Sequence, residues 1–196
     1  MSNLLHILIG LGNPGRQYSA TRHNVGFVLI DRLAIRLEAR GMRLQSDALV
    51  TTALYEGKKI LLAKPQTYMN LSGRSVQGLA RFYKVPLEHL LVAHDDLDLP
   101  LGALRLRPGG GPGGQKGVAS AIETLGSKDF SRLRIGIGRP PGRMDPAAYV
   151  LQEFSRDEAD VVSEALEKAA EAALAFVVDG IQSAMNRFNR GNADDQ

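Results

Sequence analysis

Four polar residues in the sequence could together activate water and hold a carbonyl group. Asn13 follows the first predicted strand, and His23 stands at the start of the next predicted helix. Asn70 and Asp95 follow later strands. Because ligands of an α/β sheet gather at the carboxyl ends of its strands, these side chains can converge. They would then supply a Brønsted base, an acid that orients it and two amides for a carbonyl. Each residue alone also fits an ordinary structural role, as a turn residue or a helix cap.

Strand and helix patterns alternate along the chain and must position these residues. The apolar run at 4–11 predicts a buried strand, and the apolar period from 21 or 22 to about 40 predicts a helix. Segments 49–55 and 59–63 flank a turn and predict a hairpin. The remaining predicted elements are strands at 90–93, 103–107 and 133–137, a loop at 65–70, helices at 72–83 and 118–125, a short helical pattern before 150, and a helical stretch over 157–189 with a break at Gly180.

This alternation predicts an α/β fold class. We expect a single globular domain over residues 1–190, with a twisted mixed β-sheet surrounded by helices. Residues 191–196 are expected to form a frayed tail.

Two glycine-rich segments resemble phosphate-binding loops but lack what such loops need. Residues 10–15 match G-x-G-x-x-G, yet Pro14 precedes the third glycine and residues 16–19 do not begin a helical pattern. Residues 109–117 contain six glycines but no Gly-Lys-Ser/Thr step. A nucleotide-dependent oxidoreductase is therefore the weakest alternative. We expect 109–117 to be a mobile loop that borders the substrate. No G-x-S-x-G elbow of a serine hydrolase occurs.

The composition restricts the available chemistry. The 196 residues include no cysteine, which excludes disulfides, thiolate metal sites and a thiol nucleophile. The four histidines are too scattered to indicate a zinc site. No apolar run approaches the roughly 18 residues that span a bilayer. Residues 1–6 lack a signal-peptide pattern, so we expect a cytoplasmic protein.

Positive charge is concentrated in one part of the chain. The formal net charge is +3, but residues 1–150 carry +9 and residues 151–196 carry −6. Residues 105–143 hold eight basic and two acidic residues. Such a concentration is typical of proteins that bind a polyanion, although solvated surface charge explains it equally well.

Several long motifs follow one another over nearly the whole chain. Residues 10–15 read Gly-Leu-Gly-Asn-Pro-Gly, and 21–26 read Thr-Arg-His-Asn-Val-Gly. Residues 64–73 read Lys-Pro-Gln-Thr-Tyr-Met-Asn-Leu-Ser-Gly, and 94–98 read His-Asp-Asp-Leu-Asp. Together with the glycine loop and the Leu-Arg-Ile-Gly-Ile-Gly segment at 133–138, their order and spacing resemble the bacterial peptidyl-tRNA hydrolase family.

The resemblance implies a fold, an activity and a catalytic pair. Members of the family are α/β monomers. They hydrolyse the ester between peptide and tRNA in peptidyl-tRNA released prematurely from ribosomes, and this reaction recycles the tRNA. They use no metal or organic cofactor. By matching motif, His23 is expected to be the general base that activates water, and Asp95 its orienting partner. Asn13 and Asn70 are expected to position the peptide and the scissile carbonyl.

The resemblance also implies binding residues. Tyr18 and Met69 are expected to line the cleft. Arg105, Arg107 and Arg134 stand where the family uses basic residues against tRNA. The last two are expected to hold the terminal 5′ phosphate.

One position departs from the family pattern. Many members have Gly-Gly-His-Asn-Gly where this chain has Gly-Gly-Gln-Lys-Gly at 113–117. Lys116 cannot accept a hydrogen bond as an asparagine amide does. We expect Lys116 to bind substrate through a phosphate or a peptide carbonyl. The departure keeps open a second alternative, a non-catalytic RNA-binding relative similar to plant organelle intron-splicing proteins. The retention of His23 and Asp95 argues against that alternative.

Overall fold

A computed structural model describes residues 4–189 of the chain. The predicted tail at 191–196 lies outside the described residues. None of the helices in the described part has the length and hydrophobicity that a membrane crossing requires.

Within residues 4–189, seven strands form one mixed sheet in the order β2-β3-β4-β1-β5-β7-β6. The four central strands β4, β1, β5 and β7 run parallel to one another, and the outer strands β3, β2 and β6 pair antiparallel. This confirms the predicted mixed sheet. The strands are β1 (Leu5–Gly10), β2 (Arg43–Gln45), β3 (Ala48–Tyr55), β4 (Lys58–Pro65), β5 (Leu90–Asp96), β6 (Leu104–Arg107) and β7 (Ser131–Gly136).

Helices cover both faces of the sheet because the central strands bury side chains on both sides. In β1, Leu8 packs into one core, whereas Ile7 and Ile9 pack into the other. Helices α1 and α5 contribute to the first core, and α2 and α3 to the second. The helices are α1 (Val25–Arg36), α2 (Ser72–Tyr83), α3 (Lys116–Leu125), α4 (Pro146–Val150) and α5 (Ala159–Phe188).

Several predicted boundaries are wrong by a few residues. Helix α1 ends at Arg36 rather than near 40, because Glu38 adopts a left-handed conformation with φ 51° and the Ala39 N–H turns back to the Ala34 carbonyl. A 3₁₀ turn, Arg22–Asn24, precedes α1. Helix α3 begins at Lys116, so the glycine loop ends two residues before the predicted boundary. The predicted break in the last helix is confirmed at Gly180, which has φ 80° and ψ 173°.

Candidate active site

His23 and Asp95 form a buried pair at the carboxyl end of the parallel strands. Asp95 lies near the end of β5, and His23 lies in the 3₁₀ turn before α1. The His23 Nδ1 atom is 2.8 Å from Asp95 Oδ2, and the two side chains are 13% and 4% exposed. With the carboxylate ionised, Nδ1 carries the hydrogen, so Nε2 keeps a free lone pair. That lone pair can take a proton from water.

Two glycines allow the His23 turn to reach the sheet. A Cβ atom on Gly10 would lie 2.0 Å from the carbonyl oxygen of Gly26, so only glycine allows this contact between β1 and α1. The Leu11 N–H then donates to the Ala93 carbonyl at 2.9 Å, which joins the end of β1 to β5. The G-x-G-x-x-G match is therefore a packing motif. Its third glycine leads into a short 3₁₀ turn, Arg16–Tyr18, rather than the helix that a dinucleotide loop needs.

Asn13 is fixed beside the histidine by a network of amides. Its backbone N–H donates to Asn24 Oδ1, and its carbonyl accepts from Asn24 Nδ2, both at 2.9 Å. Asn13 Oδ1 accepts the backbone N–H of Met69 at 2.8 Å. Since Oδ1 is occupied, Nδ2 remains as a donor with no protein partner within residues 4–189. Asn13 can therefore donate to a carbonyl oxygen in the adjoining space.

A cavity of about 660 Å³ opens beside the pair. Six residues predicted as site residues line it: Asn13, His23, Met69, Asn70, Asp95 and Lys116. The cavity also has an apolar wall, which includes Tyr68, Leu97, Pro146, Val150 and Leu151. Tyr18 is half-buried in its 3₁₀ turn and is not among the lining residues. The convergence that strand-end placement predicted is present for all four polar residues of the predicted site.

His94 precedes Asp95 but is not available as a base. It is buried, and its Nδ1 atom donates to the Asp95 carbonyl at 2.8 Å. Burial lowers the pKa of His94, so the ring stays neutral at neutral pH. Within residues 4–189, no group of three or more His, Cys, Asp or Glu side chains is arranged to hold a metal ion.

The three predicted tRNA-binding arginines lie on the β6–β7 ribbon and do not line the cavity. Arg105 is directly opposite Arg134, and Arg107 is opposite Arg132, so four guanidinium groups share one sheet face. Arg134 Nε donates to Asp96 Oδ2 at 2.6 Å, and Asp96 also lines the cavity. Buried guanidinium nitrogens of Arg105 and Arg132 have no hydrogen-bond partner among the described residues.

Two residues that help to hold His23 and Asp95 in place were not predicted from the sequence. Gln115 Nε2 donates to Asp95 Oδ1 at 3.1 Å. Arg22, only 6% exposed, makes two hydrogen bonds to Glu158 and lies over the Tyr149 and Phe154 rings. The motif position of each residue was visible in the sequence. Their partners were not, because Glu158 is 136 residues from Arg22 along the chain.

An imidazole held by a carboxylate, beside an amide donor and a cavity, is the arrangement of a hydrolase that activates water. The sequence profile of the peptidyl-tRNA hydrolase family matches residues 7–196. The chain belongs to this family.

Individual relatives match over nearly their whole length. The peptidyl-tRNA hydrolase of Mycobacterium tuberculosis is 50% identical over 184 residues, which cover 93% of this chain and 96% of that protein. That of Desulfitobacterium hafniense is 47% identical over 186 residues, which cover 95% of this chain and 100% of the relative. The peptidyl-tRNA hydrolase from Acinetobacter baumannii, known from a crystal structure, is 35% identical in sequence. The two structures superimpose with a TM-score of 0.88, and the match covers 98% of this chain and 96% of that one.

Proposed function

We propose that this protein hydrolyses the ester between the peptide and the tRNA of peptidyl-tRNA released from ribosomes, with His23 as the general base. The observation that carries the proposal is the 2.8 Å contact between His23 Nδ1 and Asp95 Oδ2, beside the Asn13 amide in one cavity. An ester is an activated acyl group, so water and an imidazole base suffice without a covalent nucleophile.

The proposed reaction uses one proton carrier. His23 Nε2 takes a proton from water, and the water oxygen attacks the ester carbonyl. Asp95 stabilises the imidazolium that forms and keeps its orientation. The tetrahedral intermediate then breaks the carbon–oxygen bond to the ribose, and His23 returns the proton to the departing ribose oxygen. The products are a free tRNA hydroxyl group and a peptide carboxylic acid, which loses its proton to solvent and becomes a carboxylate.

The rest of the cavity would hold the peptide. Asn13 Nδ2 would donate to the oxygen that becomes negative, and the exposed Asn70 amide lies in the same lining. Met69 and the apolar wall would contact peptide side chains, and Lys116 would reach a carbonyl or phosphate oxygen. The role of Tyr18 in the cleft stays a prediction.

The arginines of the β6–β7 ribbon would bind the tRNA backbone. Arg107 is exposed and Arg134 half-buried on the same face, which suits two contacts to one terminal phosphate. The proposal includes action as a monomer in the cytoplasm, where translation takes place. Sedimentation of the purified protein would measure its oligomeric state.

The alternative of a non-catalytic RNA-binding protein is not favoured. RNA binding alone requires neither the pair of His23 and Asp95 nor the unoccupied Asn13 donor next to it. Incubation with a peptidyl-tRNA and with a free aminoacyl-tRNA distinguishes the two functions. We expect the wild-type protein to cleave the former and spare the latter.

His23→Ala tests the assigned base. We expect kcat to fall by roughly 10²–10⁴-fold, the usual contribution of general-base catalysis, while tRNA affinity stays unchanged. His89→Ala is the matched control, because His89 lies in the turn at the opposite end of strand β5. Near-normal cleavage by His23→Ala would remove His23 from the mechanism.

A further inference from the structure

Asp95 has a second hydrogen-bond partner on the side away from the histidine. Its Oδ2 atom pairs with His23 at 2.8 Å, and its Oδ1 atom accepts from Gln115 Nε2 at 3.1 Å. Gln115 is only 8% exposed. Because each carboxylate oxygen has its own donor, the rotation of the Asp95 side chain is fixed from both sides.

Gln115 is itself fixed by the helix that it begins. It is the N-cap of α3, and its Oε1 atom accepts the Val118 N–H at 2.9 Å. With the amide oxygen facing the helix, its nitrogen must face Asp95 and the Met69 sulfur. The rigid start of α3 is thus connected directly to the carboxylate that orients His23.

We propose that Gln115 is a positioning residue that holds Asp95 with a group that does not titrate. The proposal rests on the function proposed above. A histidine at this position would change charge in the pH range of the reaction. A glutamine amide keeps the same donor and the same charge at every pH. The acid side of the pH profile of kcat in this protein therefore carries no contribution from a titrating group at position 115.

Other charged or titratable groups lie near His23 and Asp95, and a test of position 115 must leave them unchanged. Asp96, Lys116 and Asp145 line the same cavity. Asp96 is engaged by Arg134. Buried His94 contacts the Asp95 backbone. None of these groups changes when only residue 115 is substituted.

Two substitutions separate positioning from helix capping. Gln115→Glu keeps an oxygen for the Val118 N–H, but it replaces the donor to Asp95 by an oxygen and adds a negative charge. Gln115→Leu removes both the acceptor and the donor. In Gln115→Glu we expect kcat to fall about tenfold with KM nearly unchanged, since one hydrogen bond to a charged group is lost. The acid midpoint of kcat/KM should rise by about one pH unit, because the added negative charge favours the imidazolium.

Gln115→His supplies the conservative rescue. Above neutral pH its imidazole can donate to Asp95, so kcat should lie within about threefold of wild type, and the acid limb should become steeper as two groups titrate. If Gln115→Glu keeps the wild-type kcat and acid midpoint, the positioning role is wrong. The same conclusion follows if both Gln115→Glu and Gln115→Leu lose activity only in proportion to a lower Tm.

An NMR titration of the His23 ring in wild type and Gln115→Leu gives a readout without substrate. A shifted titration midpoint in this variant, which adds no charge, supports the positioning role even if the wild type cleaves no peptidyl-tRNA, which would overturn the proposed function alone. An unchanged midpoint overturns the positioning role while leaving the proposed function intact.

Discussion

Asn13 is held so that one side-chain atom serves the fold and the other is available to a ligand. Its Oδ1 atom accepts the Met69 N–H at 2.8 Å, and its Nδ2 atom stays without a partner in the described structure. Asn13→Asp keeps the acceptor but replaces the donor by an oxygen that repels the developing oxyanion. We expect kcat to fall by roughly 10²–10³-fold, as for other single oxyanion donors, with Tm nearly unchanged. Steady-state kinetics and thermal unfolding measure both effects.

Asn13→Ala is the matched comparison, because it removes the donor and also the acceptor for Met69. Its unfolding free energy should drop by about 1–3 kcal/mol, since a buried N–H is left unpaired. If Asn13→Asp hydrolyses peptidyl-tRNA as fast as wild type, Asn13 does not stabilise the oxyanion.

At the residue scale, the sequence predicted the groups with distinctive chemistry and missed those that hold them. His23 and Asp95 were predicted because their expected convergence at strand ends joins a base to an acid, and because their motifs resemble those of the family. Gln115 is a common polar residue whose importance depends on which oxygen of Asp95 its amide reaches. That geometry requires α3 and β5 to be in place. Sequence periodicity does not supply it.

At the element scale, the ribbon formed by edge strand β6 and its neighbour β7 carries arginines at directly opposite positions. Like charges directly opposite each other destabilise a strand pair, yet two arginine pairs occur here. An anion bound to this face would offset the repulsion. In Arg107→Gln we expect weaker tRNA binding, with the slope of log K against log salt reduced by about 0.9, the value for one phosphate contact. Filter binding at several salt concentrations measures the slope.

Arg74→Gln is the control for this prediction, because Arg74 is an exposed arginine on α2, where its partner is Asp47. It should leave the slope unchanged, and kcat at saturating substrate should be normal in both variants. An identical slope in Arg107→Gln and wild type would show that Arg107 makes no phosphate contact.

The helix and strand boundaries show why sequence periodicity predicts that an element exists better than it predicts where the element ends. The hairpin and the central strands were predicted because their apolar runs are buried. Strand β2 was missed, since its three residues are mostly exposed and exist as a strand only through pairing with β3. Helix α1 was predicted too long because its apolar period continues past Arg36 to Leu37, and no glycine marks its end.

At the scale of the whole molecule, one ion pair joins the start of the last helix to the 3₁₀ turn that carries His23. Arg22 makes two hydrogen bonds to Glu158, which precedes α5, and these hydrogen bonds lower the pKa of Glu158. Glu158→Gln should reduce the unfolding free energy by about 2–3 kcal/mol, because the buried guanidinium loses its counter-charge. It should also lower kcat, since His23 follows Arg22 in the chain. Glu167→Gln, which removes an exposed partner of Arg32, should change both quantities little.

Acid should weaken the folded state through histidines far from the cavity. His6 stacks on His89 and contacts Phe176, and burial, then the nearby His89 and Lys58, lower the pKa of His6 to about 4. The unfolded chain binds a proton at this residue below about pH 6.5, but the folded chain does so only below about 4, so stability falls as pH decreases through that interval. Between about pH 7.5 and about pH 5, the protonation of His6 alone should lower the free energy of unfolding by about 2 kcal/mol.

His6→Phe keeps an aromatic ring in the stack and removes the titration. Urea unfolding at the two pH values should show a smaller loss of stability in the variant by that amount. His94, whose pKa burial also lowers, continues to weaken both proteins in acid. Equal losses in wild type and variant would mean that His6 is protonated as easily in the folded chain as in the unfolded one.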